Sequence, residues 1–132
     1  MEAKTSNLTM KLEEIDQRIE YLKKNIEKKQ QLERLHENED FKSFFLEGYF
    51  EEEGKRLFEV LVEPNSLKRD VIENIQDKLS SIRNIKQFFG VAKTNADMAP
   101  SQIEEEEAYR KEVTKYYAEN PKALYDNEDS EG

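Results

Sequence analysis

Residues 8–26 read Leu8-Thr9-Met10-Lys11-Leu12-Glu13-Glu14-Ile15-Asp16-Gln17-Arg18-Ile19-Glu20-Tyr21-Leu22-Lys23-Lys24-Asn25-Ile26. Leu8, Leu12, Ile15, Ile19, Leu22 and Ile26 recur at steps of four and three, which places them on one narrow helical seam. Most positions between them are charged or amide, and neither Pro nor Gly occurs in residues 1–47. So narrow a stripe fits a coiled coil better than the broad face of a globular helix. It predicts an N-terminal coiled-coil helix over 1–36 that self-associates through those six side chains. Past Ile26 the seam positions fall on Lys29 and Glu33, while apolar residues return at Leu32 and Leu35. That shift predicts a continuous helix whose packing partner changes around Lys28-Lys29-Gln30-Gln31, or a short break there.

Asn38-Glu39-Asp40 is a polar interruption rich in N-cap residues. Phe41-Lys42-Ser43-Phe44-Phe45-Leu46-Glu47-Gly48-Tyr49-Phe50 follows, the densest aromatic cluster of the chain, and the apolar pattern runs on to Val62 before Pro64. Period-two alternation is absent, so this is a helix. Pro64-Asn65-Ser66 is a turn, and Val71 or Ile72, Ile75, Leu79, Ile82, Ile85 or Lys86, and Phe89 carry the next amphipathic helix, with Gly90 as its expected stop. The short connection makes the two an antiparallel hairpin over 38–90, with Phe45, Phe50, Leu57 and Leu61 facing Ile75, Leu79, Ile82 and Phe89. Residues 91–100 read as a linker. Ser101 with Glu104 fits a capping box for a weaker fourth helix over 101–120, carried by Ile103, Tyr109 or Arg110, Val113, and Tyr116 or Tyr117. Residues 121–132 read as a flexible acidic tail. The expected fold is all-α: coiled-coil helix, antiparallel hairpin, fourth helix, tail.

Composition agrees with long helices. Ala, Glu, Lys, Leu and Arg supply 62 of the 132 residues, and 39% of the chain is charged. A chain this polar encloses little core alone, which favours association with copies or partners. The net charge of −9 argues against direct nucleic-acid or anionic-membrane binding. The acid excess concentrates in residues 37–63 and 99–132, each summing to −6. The polar start lacks an export signal and no apolar run reaches membrane-spanning length, so the expected location is cytoplasmic.

Chemistry is hard to place on this chain. It has no Cys and a single His, His36, so the usual zinc sites are not available. Its glycines stand apart at 48, 54, 90 and 132, which leaves no phosphate loop. Glu51 to Glu53 and Glu104 to Glu107 read as solvated helix faces. No catalytic, cofactor or metal residue is expected, and the chain is not expected to be an enzyme. Phe41, Phe44, Phe45, Tyr49 and Phe50 are the informative group, read either as core or as a face for a partner. Aromatics on three sides of one helix exceed what a single neighbouring helix covers.

The order Asn38-Glu39-Asp40-Phe41-Lys42, then Leu46-Glu47-Gly48-Tyr49-Phe50-Glu51-Glu52-Glu53-Gly54-Lys55-Arg56-Leu57, then Ile82, Ile85, Phe88 and Phe89, resembles small tailed-bacteriophage proteins. The resemblance covers about residues 10–110, and Gly54 departs from it where the pattern has Ala. Such proteins tend to be encoded beside portal and capsid genes. The resemblance therefore implies an oligomeric structural or head-assembly role, with capsid or portal protein as partner and host cytoplasm or virion as location. It implies no catalytic residue. The competing expectation is an acidic regulatory binder that occupies a basic surface of a nucleic-acid enzyme, through Glu104 to Glu107 and the tail.

Overall fold

The computed structural model describes residues 4–63 and 68–126. Every regular element among them is helical: α1 (Asn7–Glu37), a π-helix (Phe41–Glu53), α2 (Gly54–Leu61), α3 (Arg69–Glu119) and a 3-10 turn (Pro121–Tyr125). The all-α class holds. By packing, the chain divides into two units, residues 1–26 with 96–132, and residues 27–95.

In the first unit α1 opens on Ser6, whose hydroxyl accepts the Thr9 N–H at 3.1 Å. That bond satisfies one of the donors a helix start leaves open. The side chain of Asn7 reaches Ala123, Asp16 meets Arg110, and Arg18 meets Glu106, so the two stretches run antiparallel. Ile15 is fully buried, and Ile19, Val113 and Tyr117 complete a core on which Leu8, Leu12, Ile103, Ala123 and Leu124 pack. The seam expected to join separate copies is thus filled from within the chain. Leu22 is buried and Ile26 half-buried. Asn25 is the buried polar residue beside them, and an amide at such a place fixes register at some cost in stability.

The tail expected to be flexible from residue 121 is held at its start. Asn7 Nδ2 donates to the carbonyls of Ala123 at 2.9 Å and Asp126 at 2.6 Å, and Lys4 Nζ donates to that of Tyr125 at 3.1 Å. Ala123 and Leu124 supply the reason, because their apolar side chains reach the core. Residues 127–132 lie outside the described ones. Asn7→Ala removes the donor from two carbonyls and should cost about 1–2 kcal/mol. Calorimetry checks this: an unchanged melting temperature would show that the two bonds carry no stability.

In the second unit Phe50, Leu57, Ile75 and Ile82 form the core, with Phe45, Leu61, Leu79 and Phe89 packed around it. This is the expected facing set, and the Phe45 and Phe89 ring centroids lie 6.4 Å apart. The expected turn at Pro64-Asn65-Ser66 lies outside the described residues.

Two expected interruptions do not occur. α3 passes through Gly90, the whole of 91–100 and Ser101 without a break, so neither the linker nor the separate capped helix exists. Among the described residues no glycine has positive φ, so Gly90 does not adopt the left-handed conformation that ends a helix there. Burial explains the continuity. Ile82, Phe89, Ala96, Ile103, Arg110 and Tyr117 recur every seven residues, and Ile85, Ala92, Ala99, Glu106 and Val113 do so on the adjoining row. All of these are buried or half-buried. A Pro inside a helix costs about 3 kcal/mol. Pro100 itself is exposed, and the helix is held through it by the adjoining seam, whose Ala96 and Ala99 are buried. α1 likewise continues past Lys29, and its residues pass from one unit to the other after Ile26.

Candidate docking surface

Asn38 starts the aromatic segment. Its Oδ1 accepts the Phe41 N–H at 2.9 Å and its carbonyl accepts the Lys42 N–H at 2.9 Å. The winding that follows is wider than the expected α-helix: Phe41 to Glu53 form a π-helix, whose turn takes a little over four residues. Phe41, Phe45, Phe50 and Gly54 therefore fall on one face. A Cβ on Gly54 would lie 3.9 Å from Ile82 Cδ1, so this face is already against α3.

Ring contacts fix that face. Phe41 stacks on Phe45 at 5.1 Å, Phe45 meets Phe50 at 4.9 Å, and Phe50 meets Phe89 at 5.9 Å between centroids. His36 stands edge-on to Phe41 and Phe89 at 5.9 and 6.0 Å. Lys86 Nζ lies 5.3 Å from the Phe50 ring centre, within cation–π range. The lone histidine is thus a packing partner of aromatic rings.

Of the five aromatic candidates, Phe50 is buried, and Phe41, Phe45 and Tyr49 are half-buried in these contacts. Phe44 stands apart, with 83% of its surface exposed. It borders an open groove of about 1060 Å³ whose apolar wall also includes Phe45, Tyr49 and Ile85. Ser43 and Gly48 line it with little side-chain bulk. Its acidic side chains are Asp40, Glu47, Glu52 and Glu53.

Sequence reasoning took Glu52 and Glu53 for part of a solvated face, read Asp40 as an N-cap candidate, and gave Glu47 and Ile85 no place in a groove. Asp40, Phe44 and Glu47 share a side even at α-helical spacing; the wider winding brings Glu53 round to the same side. The signal was the segment's aromatic crowding, more than an α-helix of its length can bury on one stripe. The six seam residues lie in the other unit, with Ile15, Ile19 and Leu22 buried.

Among the described residues Glu53 is the one rim carboxylate tied to a neighbour: Arg56 Nε donates to its Oε2 at 2.9 Å and Nη2 to its Oε1 at 2.5 Å. The hydrogen bonds from Arg56 hold the Glu53 carboxyl below the ordinary value of 4.5. The folded state favours the ionised form. Its contribution is therefore present above the ordinary glutamate range and lost as pH falls through the lowered value. An NMR titration should place the Glu53 midpoint below 4.5 and return it to the ordinary range in Arg56→Gln. Equal midpoints in the two proteins would contradict the pairing.

The acidic run 104–107, by contrast, is partly engaged inside the first unit. Glu106 pairs with Arg18 at 2.8 Å and Glu107 with Arg110 at 3.5 Å. The hydrogen bond that Arg18 donates to Glu106 raises the Arg18 pKa.

Among the described residues no group of three or more His, Cys, Asp or Glu side chains is placed to hold a metal ion. No helix among them is long and apolar enough to cross a membrane. The chain matches no family model, no curated protein and no solved structure.

Proposed function

We propose that this chain is a non-enzymatic helical protein that acts by protein–protein association, with the groove beside Phe44 as its docking site. The exposure of Phe44 carries this reading. A phenylalanine turned to water beside three half-buried apolar side chains keeps a contact area that a partner would cover. The likeness of residues 38–57 to tailed-phage proteins supports a narrower form, in which the partner is a capsid or portal protein and the setting is head assembly. A second copy of the chain is another occupant of the same face.

The acidic groove rim favours a second reading, a regulatory binder of a basic protein surface. The engaged pairs of Glu106 and Glu107 move that binding role away from residues 104–107 and toward Asp40, Glu47 and Glu52. Affinity capture from native lysate tests both forms. Wild type should retain proteins that Phe44→Ala loses; capsid or portal proteins among them favour the first form, a nucleic-acid enzyme the second. Identical retained sets would sink the docking role of Phe44.

A further inference from the structure

We infer that the groove takes a short basic amphipathic segment of a partner protein, one in which an apolar anchor is flanked by lysine or arginine. The inference rests on the association reading and adds the chemistry of what binds. Phe44, Phe45, Tyr49 and Ile85 offer the anchor an apolar wall. Asp40, Glu47 and Glu52 lie on the same groove, and each is exposed. Among the described residues no hydrogen bond or ion pair engages these three side chains, whereas Glu53 is held by Arg56.

The segment's cations would meet carboxylates that already stand in water, so pairing them costs little desolvation. Residues 37–63 sum to −6, which repels an acidic segment and steers a basic one in. The apolar wall supplies contact energy, while the rim supplies selection and approach. A segment lying in a groove with its apolar side inward and its charges at the edges is a common mode of peptide recognition.

The test uses the full chain and a fluorescent synthetic peptide of Leu, Phe and Lys at helical spacing, with a sister peptide carrying Glu for every Lys. Anisotropy should show binding of the lysine peptide, weakened by salt, and none of the sister. Phe44→Ala should weaken it at least about tenfold with unchanged circular dichroism, as expected for an exposed anchor. Glu47→Lys combined with Glu52→Lys should weaken it as much and flatten the salt dependence. Glu112→Lys, on an exposed position of the other unit, should leave it as it was.

Equal binding by wild type and Phe44→Ala would overturn the inference. So would a loss with Glu112→Lys that matches the groove variants, because attraction would then be diffuse. Absence of peptide binding, while lysate capture still depends on Phe44, overturns the basic segment and leaves the association reading standing. Failure of both removes both. Sedimentation that shows a dimer lost in Phe44→Ala, with no peptide binding, would give the groove to a second copy and overturn the inference.

Discussion

Ile15→Lys should unfold the first unit. Ile15 has no exposed surface and sits among Ile19, Val113 and Tyr117. An ammonium there meets no carboxylate of that cluster and loses its water. Burying a charge without a partner costs several kcal/mol, comparable to the ~5–15 kcal/mol that a whole domain holds in reserve. Circular dichroism should show a large loss of helix, and light scattering no loss of mass that leaves the helix in place. The same substitution separates two roles for the seam. If Leu8, Leu12, Ile15, Ile19, Leu22 and Ile26 joined separate copies, the mass would fall while much of the helix survived. That result would overturn the intramolecular packing described for residues 7–26 and 96–124.

The second large effect belongs to Phe50→Ala. Phe50 is buried between Phe45, Tyr49 and Phe89 and packs with Leu57, Ile75 and Ile82. Emptying such a site costs about 3–5 kcal/mol through lost transfer energy and the cavity left behind. The melting temperature should fall steeply. Glu52→Ala, on an exposed position, and Phe44→Ala should change it little. If Phe50→Ala kept full stability and lost only partner binding, the ring would be a contact residue and not core. The contrast between residues 44 and 50 is the sharper part of the test, since both are phenylalanines of one π-helix.

Large apolar side chains at regular spacing made most of the fold legible. The seam of α1, the facing set of the second unit and the cap at Asn38 all follow from residue type and period. Three features did not. The pairing partner of the α1 seam was hidden because the α3 rows of the first unit carry the small Ala96 and Ala99 and the charged Glu106 and Arg110 in place of large apolar side chains. Gly90 and Pro100 obey local rules that burial along the helix overrides. The docking of residues 121–125 depends on Asn7, more than a hundred positions away, and no local pattern announces such a contact. At the groove, crowding of aromatic rings pointed to the right segment but not to the exposed member, because an α-helical period assigns azimuths that the wider winding does not keep.

That winding has a consequence for how the chain tolerates changes of length. In α3 the loss of one residue turns everything beyond it by more than a quarter of a revolution. Ile103, Val113 and Tyr117 would leave their seam together. Residues 41–53 are wound more loosely than an α-helix, so they hold spare chain for the axial distance they span. A residue removed there can be absorbed by tightening the remaining turns toward the α form. The side chains on either side would keep their bearings. Insertions and deletions among natural variants should therefore gather in this segment and be missing between Ile75 and Tyr117.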